Sequence, residues 1–277
     1  MKLRAEMTRR DGLRRLAWAA WGLGAGSLAW ARPAVANPET LRVAAASDLK
    51  FALPPLLDAF RRETGLHVDA SYGSSGDFAR QIRQGLPVDL FMSADEGWVD
   101  QLAASGLTRS VPRDGTMVPD RGAVYGLGRI ALYVPRNSTL ALDPALAGLK
   151  AGWDRVTKFA IANPEHAPYG RAARQALEKL GLWEMVKPKL VLGENIAQAT
   201  QFVATGAAQA GITALSLALA PEVAQQGRHI LLPDNLHAPM RQRMVLLKSA
   251  APQAQRLYDF LQSPAAGSHL QRFGFMV

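Results

Sequence analysis

At 277 residues with a formal charge of +9 and no cysteine, the chain has room for one large domain or two ordinary lobes. It excludes a disulfide scaffold, a thiolate metal site and a cysteine nucleophile. Residues 1–36 hold seven of the 32 basic and two of the 23 acidic side chains, leaving 25 against 21 with no basic run interleaved with aromatics, which argues against a nucleic-acid partner.

The chain opens on an export signal. Thr8-Arg9-Arg10-Asp11-Gly12-Leu13-Arg14 sets a twin arginine before a modestly apolar run from Leu16 to Ala31, which Arg32-Pro33 and the small-residue site Ala34-Val35-Ala36 close. Cleavage is expected before Asn37. The run is too short and too glycine-rich (Gly22, Gly24, Gly26) for a membrane span. With no cysteine to carry a lipid, the expected product is a periplasmic protein and not a lipoprotein.

Past the signal, runs at 41–46, 68–72, 88–93, 130–134, 159–162, 190–192, 210–213, 230–232 and 244–247 read as strands. Helical periodicity covers 53–64, 78–84, 96–105, 170–180, 196–205 and 254–261. This alternation predicts an α/β fold of mostly parallel sheets flanked by helices, with ligands outside the carboxyl ends of strands. The glycine-rich stretch 121–128 and the proline-bearing stretch 233–239 are the expected hinge segments between two lobes. The expected division is lobe 1 over 37–122, lobe 2 over 123–238, and a return to lobe 1 over 239–277. A single domain with ordinary surface loops is the alternative.

Arg42-Val-Ala-Ala-Ala-Ser-Asp48 is a buried-type strand that ends abruptly in a serine, and Tyr72-Gly-Ser-Ser-Gly-Asp77 repeats the theme about one βαβ unit later. Hydroxyls at strand-to-helix junctions, with unpaired first-turn amides and the helix dipole, can hold an oxyanion without a cation. Taken alone, Ser47 and Ser75 read equally as N-caps. Asp48 and Asp77 are expected to cap the helix starts; a carboxylate turned into an anion cavity would repel a dianion or favour a protonated ligand.

The order Ala44-Ala-Ala-Ser-Asp48, Tyr72-Gly-Ser-Ser-Gly-Asp77 with Ala79-Arg-Gln-Ile82, and Val88-Asp-Leu-Phe-Met-Ser-Ala-Asp95 resembles the periplasmic molybdate-binding proteins of ABC importers. Ala162-Asn-Pro-Glu-His-Ala-Pro-Tyr-Gly170, Glu194-Asn-Ile196, Gly211-Ile-Thr-Ala214 and Arg272-Phe-Gly-Phe275 continue the match across nearly the whole mature chain. The resemblance implies a two-lobed, type II-like periplasmic-binding fold and a monomer. It further implies capture of molybdate, and usually tungstate, for delivery to a permease membrane subunit with its ATPase. The implied donors are Ser47, Ser75, the backbone near Tyr169 and the main-chain N–H of Ile196. Where many members carry a binding tyrosine, this chain has Ala214, and Tyr169, Thr213 or Ser216 is expected to supply the missing donor. No cofactor and no direct ligand to a metal ion is implied, the molybdenum being held through its oxygens.

The chemistry agrees with donors only, because every oxygen of a deprotonated dianion is an acceptor. Three other classes share parts of this pattern. A carrier for sulfate, phosphonate or another oxyanion would share the scaffold. A serine hydrolase built from Ser47 or Ser75 with His67 or His166 lacks a nucleophile-elbow pattern, Gly73-Ser74-Ser75-Gly76 being one residue short. A sensing domain of a transcription regulator lacks a helix-turn-helix extension. His166 reads as a structural residue, Arg171 and Arg174 as a solvated face, and Asp95, Glu96 and Asp100 as candidate docking charges for permease loops.

Overall fold

The computed structural model describes residues 40–277; the expected signal peptide and its cleavage site lie outside them. Twelve strands run in chain order: β1 (Thr40–Ala46), β2 (His67–Gly73), β3 (Leu90–Ser93), β4 (Ser110–Arg113), β5 (Thr116–Pro119), β6 (Ala123–Gly128), β7 (Ile130–Pro135), β8 (Phe159–Ala162), β9 (Leu190–Gly193), β10 (Ala210–Ala214), β11 (Gly227–Leu231) and β12 (Met240–Leu246). The longer helices are α1 (Leu53–Thr64), α2 (Ser75–Arg83), α3 (Glu96–Ala104), α4 (Pro168–Lys179), α5 (Ile196–Ala204), α6 (Ala254–Leu261) and α7 (Pro264–Arg272).

Local chemistry explains these elements. In α1, Leu53, Leu56, Leu57 and Phe60 fall on one face and are buried, prolines occupy the first turn where no amide partner is lost, and Gly65 at φ 74° ends the helix in the left-handed region. β1 reads Thr-Leu-Arg-Val-Ala-Ala-Ala and buries its last four residues. Small side chains there let helices pack close on both faces of the sheet.

Two five-stranded sheets result, ordered β2-β1-β3-β12-β6 and β11-β7-β10-β8-β9, with a separate β4-β5 hairpin. Phe60, Leu53, Leu90 and Met92 anchor the core of the first sheet, and Phe159, Ile130 and Leu132 that of the second. The expected α/β architecture is therefore present, with mixed sheets: four strands of each run one way and one runs against them, β12 in the first and β7 in the second. These two are the strands by which the chain enters each lobe. The co-directional strands end at the cleft, so a chain crossing the cleft enters the next sheet at its carboxyl edge and must run backwards.

One boundary differs from the sequence reading. β6 pairs with β12 in the first sheet, so residues 123–128, assigned to lobe 2, belong to lobe 1, and Arg129 alone links β6 to β7. The glycines at 122, 126 and 128 suggested a linker. In the structure Gly122 is instead a tight turn at φ 69° pressed against the Met244 carbonyl. β12 also starts earlier than expected, because exposed Arg241 and buried Gln242 interrupt its apolar run.

Registers position the site. β1 and β2 pair from Thr40↔His67 to Ala46↔Gly73, so they end level and set Ser47 beside Ser74 and Ser75. On the other side β8 and β9 end level at Ala162↔Gly193, bringing the starts of α4 and α5 together.

Candidate functional site

A small cavity of about 190 Å³ lies where these strand ends face each other, lined by Ala46, Ser47, Asp48, Gly73, Ser74, Ser75, Ala94, Ala167, Pro168, Tyr169, Asn195 and Ile196. A larger depression beside the β4–β5 hairpin is lined by Arg113, Asp120 and Arg121 among apolar residues and includes none of the predicted site residues. No lysine, arginine or histidine is among the residues that line the small cavity.

Three helix starts and one short turn converge here. Ser47 opens a 3₁₀ turn directly after β1, Ser75 is the first residue of α2, Pro168 and Tyr169 open α4, and Ile196 opens α5 behind its N-cap Asn195. First-turn amides have no carbonyl partner within their own helix and carry the positive end of the dipole. The Asn195 side chain accepts from Gln198 N–H at 3.1 Å, which leaves the amides of Ile196 and Ala197 at the tip of α5.

The two predicted hydroxyls are held alike. Ser47 Oγ accepts from Ala197 N–H at 3.3 Å, and Ser75 Oγ accepts from Ala94 N–H at 3.0 Å. Among the described residues neither hydroxyl donates to a protein acceptor, so each proton is available to the cavity.

Tyr169 lines the cavity, but its phenol is occupied. It donates to Asp48 Oδ2 at 2.9 Å, and Gln242 Nε2 lies 2.7 Å from the same carboxylate oxygen and 3.0 Å from the phenol oxygen. Gly128 makes room for this group: a Cβ there would meet both Gln242 Nε2 and Tyr169 Oη at 2.5 Å. Burial first, and the Asp48 carboxylate second, push the Tyr169 phenol well above its ordinary pKa, so it remains a donor.

Thr213 and Ala214 are not brought to the cavity. Thr213 is buried in β10 with its hydroxyl against that of Thr200, which in turn donates to Ile196 O at 2.7 Å. Because the Thr200 proton is committed to that carbonyl, Thr213 must donate to Thr200 and has no proton left for a ligand. Ser216 is likewise spent, donating to the Asp48 main-chain carbonyl at 2.8 Å. Of the candidates for the missing donor, only Tyr169 reaches the cavity wall.

Asp48 and Asp77 are not the caps that were expected. Neither the turn after β1 nor α2 has a side-chain cap. Asp48 is 1% exposed and lines the cavity. Desolvation raises its pKa to about 6, against the opposing hydrogen bonds from Gln242 and Tyr169 and the nearby amides of Asp48 and Leu49. Apart from those amides its Oδ1 has no partner. Asp77 sits at the rim, bonded to Arg80 at 2.6 Å and 3.3 Å from His166 Nδ1. Asp77, His166 and Glu194 bring ligand-type atoms within 4.8 Å of one another, with Asp77 already engaged by these two partners.

His166 stands next to the cavity-lining Ala167 and braces the two lobes. Its carbonyl accepts from Gly76 N–H at 3.1 Å and from Ser74 Oγ at 2.7 Å, which ties the segment before α4 to the start of α2. Its Nδ1 faces both Ser74 Oγ at 3.0 Å and Asp77 Oδ2 at 3.3 Å. A hydrolytic triad needs the acid and the serine on opposite ring nitrogens, so this arrangement positions a loop and does not activate a nucleophile.

Arg171, expected on a solvated face, pairs with Asp95 and lies 5.8 Å from the Trp98 ring centroid. Glu96 pairs with Arg241 and Arg243, and Asp100 lies near Arg121 and Arg243. The acidic groups considered for docking are therefore engaged within the chain.

Sequence reasoning missed Ser74, Asn195 and Gln242. Gln242 carried a signal: a polar side chain at a buried phase of β12, whose pattern alternates around it.

Residues 41–276 match the family model of the bacterial extracellular solute-binding proteins. The chain is 36% identical to the molybdate-binding protein ModA of Azotobacter vinelandii, over 91% of this chain and 94% of that one. The solved periplasmic molybdate-binding protein of Azotobacter vinelandii superposes with a TM-score of 0.73 at 30% identity, covering 86% of this chain and 99% of that one. The sulfate-binding protein SubI of Mycobacterium tuberculosis H37Rv superposes at TM-score 0.67 with 16% identity, over 85% and 86% of the two chains, a likeness of fold alone.

Proposed function

Since the chain belongs to the bacterial extracellular solute-binding protein family, and within it to the molybdate-binding proteins of ABC importers, we propose that it captures molybdate in the cavity between Ser47 and Ile196. Tungstate, of like charge and shape, is the expected second ligand, and a permease membrane subunit with its ATPase is the recipient. The protein acts as an exported monomer and as a binding protein, not an enzyme; its relatives are named for binding.

The observation that carries this reading is a small cavity at the facing strand ends, lined by no basic side chain, in which Ser47 and Ser75 each keep one proton to give. Hydrogen bonds to a charged group contribute about 1.5–3 kcal/mol each net, and about 8 kcal/mol corresponds to micromolar affinity. Two hydroxyls with the first-turn amides of Tyr169 and Ile196 therefore suffice, even after the cost of immobilising the ligand. Contacts such as Gly76 to His166 and Ser47 to Ala197 join residues of opposite lobes. Closure about the two crossings would complete the donor shell, and a permease can then read the closed shape.

A second reading, a carrier for a protonatable oxyanion such as phosphonate, is favoured by one observation: Asp48 lines the cavity, and an acceptor there suits a protonated oxyanion. A thermal-shift panel with molybdate, tungstate, sulfate and phosphate, followed by calorimetry, tests both. Ligand at about a thousand times its dissociation constant stabilises by roughly 4 kcal/mol. Shifts with molybdate and tungstate only support the first reading; a shift with sulfate or phosphate alone overturns it, and phosphate alone favours the second.

A further inference from the structure

Resting on the oxyanion reading, we propose that Asp48 binds the dianion as a neutral carboxylic acid, so that capture of the anion takes up one proton from solvent. Asp48 is then a specificity residue: it adds a donor to the shell, and it makes affinity depend on pH although the ligand itself does not titrate.

The argument begins with geometry. Asp48 follows Ser47 on the turn after β1 and lines the same cavity. It is 1% exposed. One carboxylate oxygen, Oδ2, accepts from Tyr169 on α4 and from Gln242 on β12, while Oδ1 is buried with no partner beyond the nearby amides of Asp48 and Leu49. A buried acceptor without a donor is costly. A proton on Oδ1 turns that orphan into an O–H donor in a cavity whose ligand offers only acceptors.

The surroundings supply no cation. The groups facing Asp48 are the phenols of Tyr169 and Tyr125, the amide of Gln242, the hydroxyl of Ser216 on its carbonyl, and the nearby amides of Asp48 and Leu49. None of these is positively charged, and among the described residues no lysine, arginine or histidine pairs with it. An ionised Asp48 beside a bound dianion would hold three negative charges in a desolvated site with only dipoles to oppose them. Like charge raises a carboxylate's pKa, so the pair responds by taking a proton onto Asp48. Burial alone has already brought that proton within reach, with the carboxyl at about 6 before any anion enters.

The test is titration calorimetry of the purified protein with sodium molybdate at about pH 7.5, in two buffers of different ionisation enthalpy. The expected result is uptake of close to one proton per anion, with the dissociation constant rising about tenfold per pH unit above the Asp48 pKa. D48N, whose amide N–H imitates the neutral acid, should bind with no proton uptake and no such pH dependence. Molybdate binding without proton uptake by the wild-type protein overturns this proposal alone. No binding of molybdate by the folded protein overturns the oxyanion reading and this one with it. The wild-type proton count requires no variant, so it decides the matter even where D48N does not fold.

Discussion

The phenol of Tyr169, carried by the second lobe, donates at 2.9 Å to the carboxylate of Asp48, which the first lobe carries at the end of β1. Gln242 touches both partners. A buried polar group therefore spans the two halves at the foot of the cavity.

Removing that link should cost stability more than it would on a surface. Tyr169→Phe deletes a hydrogen bond to a buried carboxyl while Gln242 still holds Asp48, for an expected loss of about 1–3 kcal/mol. Urea denaturation at pH 7 measures it. A loss near zero would mean that the phenol is only a space-filler.

Asp48 should leave a signature in the pH dependence of stability. Its folded pKa, about 6, lies above the ordinary 3.8, so between those values the folded state binds more protons than the unfolded one. Its contribution is therefore full below about pH 4 and lost as pH rises through 6, an order-of-magnitude change of about 3 kcal/mol. Other carboxylates act oppositely; Asp143, held low mainly by the Gly148 amide, loses its contribution as pH falls. Comparing wild type with Asp48→Asn across pH 4–7 removes that background. The wild type should lose ground relative to the variant as pH rises, and a flat difference would contradict the assignment.

The two cavity hydroxyls should matter to affinity and Thr213 should not. Ser47→Ala and Ser75→Ala each remove one donor to a charged ligand, with an expected weakening of molybdate binding on the order of tenfold to a hundredfold. Thr213→Ala breaks a buried hydroxyl pair behind α5 and should lower stability by about 1 kcal/mol with affinity unchanged. Calorimetry on the three variants separates the cases.

Gly76 tests the approach of the two halves. A Cβ there would lie 2.5 Å from the His166 carbonyl oxygen and 2.9 Å from the Trp98 ring, and backbone of the opposite lobe cannot easily yield. Gly76→Ala should weaken molybdate binding by about tenfold or more, because the contact with His166 of the opposite lobe is blocked, with a smaller loss of stability from the Trp98 ring in its own lobe. Equal losses in both would place the effect in folding instead.

Much of this protein was legible in its sequence because the signals are local. Alternating strand and helix patterns and the serine that ends the run of alanines depend on neighbours a few residues away, and the structure has them as read. Ser47 and Ser75 were nameable from their strand-to-helix junctions, Tyr169 and Ile196 only through the family resemblance, and all four line one cavity. Tertiary structure alone decided the rest. Whether Thr213 or Tyr169 turns to the cavity, whether Asp48 caps a turn or is buried against Gln242, and which sheet takes residues 123–128 depend on partners up to 194 residues apart. A hydroxyl or carboxylate has the same sequence signature whether its bond goes to a helix start, a neighbour or a ligand. Only the positions of the competing donors and acceptors determine which bond it makes.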